Sequence, residues 1–160
     1  MIIRRAEKKD IPGLLQLLLQ VGQVHHDLRP DLFQPRTLKY QEADLEELLI
    51  QEDKPIFVAA KGAFIAGYCF CIHRKYRDSG VFIDRQELYI DDLCVDETLR
   101  GQGIAEALYR HAEDYARHQG CSFVTLNVWC GNDPALGFYE KMGMKPRSIT
   151  MEQSLEEQLC

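Results

Sequence analysis

The sequence predicts a mixed α/β fold, with a central, mostly antiparallel sheet of about six to seven strands flanked by about four helices. Two apolar, aromatic-rich runs at 55–60 and 63–72 meet at Lys61-Gly62, which is the pattern of a hairpin. A strand, a helix and a further strand then follow one another over 88–129. Four stretches carry apolar residues at helical spacing, and we expect them to cover the faces of the sheet.

Size and composition limit the classes of protein that this chain can belong to. Its 160 residues predict one domain over 1–160, and 19 Lys+Arg against 25 Asp+Glu give a net charge of −6. This acidity argues against a strongly basic nucleic-acid binder. The chain has no apolar run of about 18 residues and no signal-peptide pattern at its start, so we expect a cytoplasmic protein without a membrane partner.

The predicted elements of the first half begin with a strand at 2–5. A helix then runs from Asp10 to about Gly22, because the Asp10 carboxylate can cap free amides and Pro12 is tolerated in a first turn. A second helix fills 38–50, with leucines on one side and acidic residues on the other.

The second half alternates strands and helices. A helix from Gly103 to about His118 ends at Gln119-Gly120, as helices commonly do. The other predicted elements are a strand at 88–95, a strand at 122–129, a short helix at 133–142 and a last strand candidate at 149–155.

A glycine loop joins the strand at 88–95 to the helix that follows it. Gly101 and Gly103 let the backbone approach a ligand, and successive amides at a helix N-terminus suit phosphate oxygens. No Gly-Lys-Ser/Thr follows and the third glycine of the dinucleotide fingerprint is missing. The loop therefore predicts a diphosphate ligand without nucleotide hydrolysis or hydride transfer, or else a tight turn without a ligand.

Two blocks of the sequence resemble one enzyme family. Arg100-Gly101-Gln102-Gly103-Ile104-Ala105 resembles the Gln/Arg-x-x-Gly-x-Gly/Ala signature of the GNAT superfamily of acetyl-CoA-dependent N-acetyltransferases. The stretch from Asn132 to Met144 is similar to its second block, Asn-x-x-Ala-x-x-x-Tyr-x-x-x-Gly-Phe, with Met144 in place of Phe. The resemblance implies a GNAT-like acyl-CoA N-acyltransferase fold, acetyl-CoA as cosubstrate without a metal, and a homodimer.

The resemblance also implies which residues hold the cosubstrate. The loop amides would bind the pyrophosphate of coenzyme A, the strand before the loop would pair with the pantetheine arm, and Asn132 would touch the arm further along. The implied cofactor-binding residues are Leu93, Cys94, Val95, Arg100, Gly101, Gln102, Gly103, Ile104, Ala105, Asn132 and Ala135.

Acetyl transfer to an amine requires a base and an acid. A lysine-like amine has a pKa near ~10.4, so removing its proton at pH 7 costs roughly 4.6 kcal/mol. Tyr139 falls on the tyrosine of the second block, and the resemblance implies that it protonates the departing thiolate; otherwise it is a core aromatic. Asp91 and Asp92 are the candidate bases, on opposite faces of their strand, unless they only pair with a loop.

The acceptor would lie near the polar stretch after the first helix. The candidate substrate-binding residues are His25, His26, Asp31, Tyr40 and Tyr68. Either histidine could also act as the base, although a solvated loop pair is the plainer interpretation. The acidic chain favours a small cationic amine as acceptor.

Alternatives to this hypothesis remain open. The acceptor could be a protein N-terminus or a lysine side chain, but Asn127 stands where N-terminal acetyltransferases of this family carry Glu, which argues against their mechanism. A non-catalytic acyl-CoA-binding sensor would need neither Tyr139 nor a strand carboxylate. The six cysteines lack metal-ligand spacing and predict reduced thiols, and Cys94 lacks the histidine partner of a nucleophile.

Overall fold

The computed structural model describes residues 1–156. Within them the chain forms a mixed α/β fold with four α-helices, as predicted, and a sheet of five strands rather than six to seven. The elements in chain order are β1 (Ile2–Arg5), α1 (Ile11–Leu28), α2 (Glu42–Leu49), β2 (Ile56–Lys61), β3 (Phe64–Tyr76), β4 (Arg85–Val95), α3 (Ile104–His118), β5 (Phe123–Leu126) and α4 (Asp133–Lys141).

The strands lie in the order β1-β2-β3-β4-β5, which is also their order in the chain. The first three pairs are antiparallel and β4 pairs with β5 in parallel, so the prediction of a mostly antiparallel mixed sheet is confirmed. One irregularity interrupts β4. Phe70 lies opposite Asp92 and Cys71 lies opposite Ile90, so Asp91 is an extra residue in a β-bulge.

Two apolar cores lie on the two faces of the sheet. On one face, Leu14 and Leu18 of α1 and Leu45 of α2 are fully buried. On the other face, Leu108 and Ala112 of α3 are fully buried against the strands. α1 and α3 bury residues that recur three or four positions apart, which is why the periodicity predicted these two helices.

Two details of the first helix differ from prediction. Gly22 does not end α1: a Cβ there would lie 2.5 Å from the Thr37 carbonyl oxygen, so glycine permits a close approach of the loop. Asp10 precedes the helix, but its carboxylate accepts hydrogen bonds from the Arg4 guanidinium at 2.7 and 2.9 Å and from the Glu7 amide at 2.8 Å. It therefore fixes the turn before the helix and does not cap α1 itself.

The last predicted strand, 149–155, is not a strand in the structure. Ile149 and Met151 are 80% and 84% exposed, and no other strand of the described residues pairs with them. The second helix is also shorter than predicted, since α2 begins at Glu42 rather than at residue 38. In the described part of the chain, no helix combines the length and apolar character that crossing a membrane requires.

Candidate active site

The parallel strands β4 and β5 separate part-way along the sheet. They pair only from Glu87 with Phe123 to Ile90 with Leu126. Beyond that point β4 continues to Val95 while paired with β3 alone among the described residues. Residues 91–95 therefore present a free backbone edge that can hydrogen-bond an extended ligand.

The glycine loop lies at the end of this free edge. Gly101 and Gly103 have φ angles of 78° and 79°, which L side chains rarely adopt. No group lies within 4 Å of where their Cβ atoms would stand, so the loop is open. Within residues 1–156, no backbone amide from 101 to 106 donates to another group. These free amides at the start of α3 fit a diphosphate.

Asp92 is the more enclosed of the two candidate bases. The Tyr68 hydroxyl donates to Asp92 Oδ2 at 2.7 Å, and Tyr68 is itself fully buried. Burial raises the pKa of the Asp92 carboxyl, although the Tyr68 hydrogen bond opposes that change. A carboxyl with a raised pKa takes up a proton more readily at neutral pH than an ordinary aspartate does.

Asp91 has a different environment. Its Oδ2 accepts hydrogen bonds from the Lys39 ammonium at 2.7 Å and from the Tyr40 hydroxyl at 2.8 Å. Tyr40 and Tyr68 both belong to the core on the α1–α2 face. Both carboxylates therefore point to that face, and the prediction of opposite faces is wrong because the bulge interrupts the alternation.

Tyr139 lies on α4, half-buried against the α3 core. Its ring centroid is 5.1 Å from that of Phe138 and 6.3 Å from that of Tyr109. Its hydroxyl makes no hydrogen bond to another described residue. Burial, reinforced by nearby anionic groups, raises the pKa of the Tyr139 phenol, so the hydroxyl keeps its proton at neutral pH.

Asn132 is occupied within its own helix. Its Oδ1 accepts a hydrogen bond from the Ala135 amide at 3.3 Å and caps α4. The implied contact of Asn132 and Ala135 with the pantetheine arm stays a prediction, as do the cofactor contacts of Arg100, Gln102, Ile104 and Ala105.

The candidate acceptor residues come from different elements of the fold. Tyr40 and Tyr68 lie close together, since both rings contact the ring of Phe70, at centroid distances of 5.4 and 4.8 Å. His25 and His26 lie on α1 rather than in a loop, and His26 Nδ1 hydrogen-bonds the Phe33 carbonyl oxygen at 2.7 Å.

Asp31 lies apart from the carboxylate pair and is exposed. The Arg29 guanidinium donates to both of its carboxylate oxygens, at 2.8 and 2.6 Å. Asp31 therefore orders its own loop, and the structure does not bring it to the two bases.

Two residues of this site were not predicted. Phe70 shares a face of β3 with Tyr68, and the period of two along a strand could have found it. Lys39 reaches Asp91 across 52 positions of sequence, and no local pattern indicates such a contact.

The cysteines near the site are thiols without ligand geometry. Burial raises the pKa of the Cys94 thiol to about 12, so almost none of it is the reactive thiolate at neutral pH. Cys69 and Cys71 Sγ lie 3.6 Å apart without a disulfide. Among residues 1–156 no cluster of three His, Cys, Asp or Glu side chains is arranged to hold a metal ion.

Comparison with known proteins identifies the family. The profile of the acetyltransferase (GNAT) family matches residues 21–144. The chain belongs to this family. It is 31% identical over 153 residues to glucosamine 6-phosphate N-acetyltransferase 1 of Oryza sativa subsp. japonica, a match covering 93% of this chain and 84% of that one. Its fold matches a crystal structure of a mutant BH1408 protein from Bacillus halodurans, with a TM-score of 0.93 and 29% identity over 98% of this chain and 100% of that one.

A third relative differs in the acceptor that its name states. The chain is 30% identical over 103 residues to the Bacillus subtilis (strain 168) protein named putative [ribosomal protein bS18]-alanine N-acetyltransferase, over 64% of this chain and 62% of that one. The matched stretches cover 62%, 31% and 54% of the lengths of the first three curated relatives. The relatives in this family therefore differ in length and in the acceptor that their names state.

Proposed function

We propose that this GNAT protein transfers the acetyl group of acetyl-CoA to a primary amine by direct attack, and that the acceptor is a small cationic amine. One observation carries the proposal. The free edge of β4 at 91–95 joins the open amides of the glycine loop to the hydrogen-bonded pair of Asp92 and Tyr68.

The cosubstrate site is built from backbone groups. The amides of 101–106 would hold the pyrophosphate, with the Arg100 guanidinium adding positive charge, and the edge at Leu93 to Val95 would bind the pantetheine amides. When bound there, acetyl-CoA supplies an acetyl thioester, which is reactive toward a neutral amine. Cys94 takes no part as a nucleophile because its thiol stays protonated, which supports direct attack.

Proton transfer would use one group from each face of the sheet. Asp92, with its raised pKa, accepts the proton of the acceptor ammonium, and Tyr68 orients the carboxylate. The Tyr139 hydroxyl is protonated at neutral pH and has no competing hydrogen bond among the described residues, so its proton is available to the leaving sulfur.

Lys39 supports a cationic acceptor. Its ammonium lies 2.7 Å from Asp91, and the Tyr40 hydroxyl binds the same oxygen, which is the contact that a substrate ammonium would need. Lys39 is about half-exposed, 48% by side chain, so a substrate can displace it at little cost. Asp91 would then anchor a second ammonium group while Asp92 acts as the base.

A protein N-terminal amine is the second candidate acceptor. The similarity to the Bacillus subtilis relative named as a ribosomal-protein alanine N-acetyltransferase favours it. Asn127 argues against that mechanism, since its amide cannot accept a proton as a base and is bound to the Tyr89 hydroxyl at 3.1 Å.

The test is an acceptor panel with acetyl-CoA, read by mass spectrometry of the acetylated product. The panel holds a polyamine, an aminoglycoside, glucosamine 6-phosphate and a peptide that begins with alanine. Turnover of the polyamine or aminoglycoside supports the proposal, turnover of the peptide alone supports the second candidate, and binding without turnover supports a sensor.

Lys39→Met sharpens this test. We expect it to lower the KM for cationic acceptors by about two- to fivefold, since exposed ion pairs are worth about 0.2–1 kcal/mol. Lys61→Met, an exposed lysine at the end of β2, is the matched control and leaves the KM unchanged. Equal KM values in both variants would argue against an ammonium site at Asp91.

A further inference from the structure

Asn127 lies where β4 and β5 separate, directly after the last residue of β5 that pairs with β4. Its Nδ2 donates to the Tyr89 hydroxyl at 3.1 Å and so fixes the position of that ring. Leu88 and Ile90, on either side of Tyr89, pack in the α3 core. Because side chains alternate along a strand, Tyr89 points to the α1–α2 side of the sheet, as Asp91 does.

Arg74 stacks on the fixed ring of Tyr89. Its guanidinium carbon lies 3.9 Å from the ring centroid, a close cation–π contact that holds the planar group in one place. Arg74 is half-buried on β3. Its cross-strand neighbour Glu87 already accepts hydrogen bonds from Arg85 at 2.7 Å and from Arg147 at 2.9 Å. Among residues 1–156, the Arg74 guanidinium itself forms no ion pair and donates to no other side chain.

An ordered guanidinium without a partner is suited to an anionic group of a ligand. Its N–H donors form a planar fork that matches the two oxygens of a carboxylate, and stacking on a ring leaves the edge of the fork free. Taking such a cation partly out of water without a counter-ion is unfavourable, so a bound anion would stabilise it. The amide of Asn127 adds no negative charge here, so the charge of Arg74 is left for the ligand.

Asp91 is close to this cation along the strand. It lies about 7 Å beyond Tyr89 on the same side of β4, since two positions separate them and a strand rises about 3.3 Å per residue. An ammonium bound at Asp91 and an anion bound at Arg74 would therefore be near neighbours. This spacing fits an ammonium and a carboxylate carried by one carbon atom, which is the head group of an α-amino acid.

We propose that the acceptor is an α-amino acid with a second amine in its side chain, a diamino acid of the lysine or ornithine type. Its carboxylate binds Arg74, its α-ammonium replaces Lys39 at Asp91, and its side-chain amine lies at Asp92. With two ammonium groups and one carboxylate, such a molecule is still a small cationic amine. This inference rests on the proposed function and narrows the class of its acceptor.

The side-chain nitrogen is the atom that is acetylated. Its ammonium gives one proton to Asp92, and the free amine then attacks the acetyl carbon. The new amide bond forms as the C–S bond of the thioester breaks. The nitrogen loses a second proton, which replaces the one that Tyr139 gives to the sulfur, and the first proton passes from Asp92 to solvent. The flexible stem of a lysine-type side chain allows its amine to reach Asp92 while the head group stays at Asp91.

The test measures acceptor affinity by calorimetry with coenzyme A present, using matched pairs that differ only in the carboxylate. The pairs are L-lysine with cadaverine and L-ornithine with putrescine. We expect each amino acid to bind about 10- to 100-fold more tightly than its diamine, which is the usual effect of hydrogen bonds to a charged group.

Arg74→Met removes the guanidinium and keeps an apolar stem. It should weaken binding of the two amino acids by the same factor, so that their advantage over the diamines disappears. Arg77→Met is the matched control, since Arg77 is an exposed arginine in the loop between β3 and β4, and it should keep the full preference. Far-ultraviolet circular dichroism checks that both variants are folded.

The possible outcomes separate this inference from the proposed function. Equal affinity for each amino acid and its diamine, a preference that persists in Arg74→Met, or its loss in Arg77→Met would each overturn the inference. Glucosamine 6-phosphate and glucosamine are measured alongside, and an effect of Arg74→Met on this pair alone would also overturn it. Turnover with acetyl-CoA is a separate readout. A protein that prefers lysine yet acetylates no amine would contradict the proposed function, whereas turnover of cadaverine without that preference would overturn only the inference.

Discussion

The molecule has two regions that differ in how completely they are buried. The main body, residues 1–120, supplies nearly all of the apolar core. From the C-terminal region, residues 121–156, only Met142 is a buried apolar residue, while Trp129, Leu136 and Leu155 are 40%, 42% and 90% exposed. The main body therefore has its own core, whereas the C-terminal region adds little to it and packs partly buried side chains against it.

The proposed chemistry draws on both regions. Asp92 and Tyr68 belong to the main body, and Tyr139 belongs to the C-terminal region. The candidate base is thus fixed by a rigid sheet, while the candidate acid lies on a helix with no fully buried residue. Changes in the two regions should affect activity and stability in different proportions.

The largest expected effect follows from Asp92→Asn. Without the base, kcat/KM should fall by about 100- to 10,000-fold, the usual contribution of general acid or base catalysis.

Tyr139→Phe should lower kcat by a smaller factor within that range, because water can replace a phenol near the surface. Tyr109→Phe is the matched control, since Tyr109 packs against Tyr139. Steady-state kinetics check all three, and equal losses in Tyr109→Phe and Tyr139→Phe would remove the acid role.

Asp92→Asn should raise stability at neutral pH while it lowers activity. Burial raises the pKa of Asp92, so between the unfolded and folded pKa values the native state binds more protons than the unfolded state. The free energy of unfolding therefore falls as pH rises through that window. Asparagine does not ionise, so Asp92→Asn does not lose this stability. Urea titrations at pH 4 and pH 7 check this; the prediction fails if Asp92→Asn is less stable than wild type at pH 7.

Leucine truncation compares the two regions directly. Leu108 in α3 is fully buried, and Leu108→Ala should lower the free energy of unfolding by about 2–5 kcal/mol through lost burial and a cavity. Leu136 in α4 is 42% exposed, and Leu136→Ala should cost under about 1 kcal/mol. Urea unfolding gives both values, and similar costs would contradict the contrast between the regions.

Two glycine substitutions separate backbone strain from ligand binding. Gly103 and Gly143 both have positive φ, 79° and 96°, with open space around them. Alanine at either position should cost about 1–2 kcal/mol of stability, because each is forced into the left-handed region. Only Gly103→Ala should also weaken coenzyme A binding, measured by calorimetry. A matching loss of affinity in Gly143→Ala would argue against binding of the pyrophosphate by the glycine loop.

Sequence periodicity predicted the helices well where one face is buried. α3 was expected from Gly103 to about His118 and runs from Ile104 to His118, because its apolar residues pack on a flat sheet. Gly22 was misread as a helix end, since a glycine at a close approach and a glycine at a terminus look alike in sequence. The difference depends on a loop fifteen positions later in the chain.

The candidate site was predicted in its residue types but not in its geometry. Asp91 and Asp92 stood out because carboxylates are uncommon within apolar strands. Their shared face could not be predicted, since a bulge depends on the register with β3 and leaves no residue-type signal. The strand predicted at 149–155 is wrong, because a strand needs a partner and none pairs with this stretch in the described part of the chain.

The bulge at Asp91 has a genetic consequence. Leu88 and Ile90 face the α3 core, whereas Asp91 and Asp92 face the α1–α2 core. A single-codon deletion at position 91 would remove one carboxylate and leave every other residue of β4 facing as it does now. The same deletion at any other position of the strand except Asp92, which gives the identical sequence, would invert the residues beyond it. The second acid is therefore a feature that the gene can gain or lose in one step without changing the strand around it.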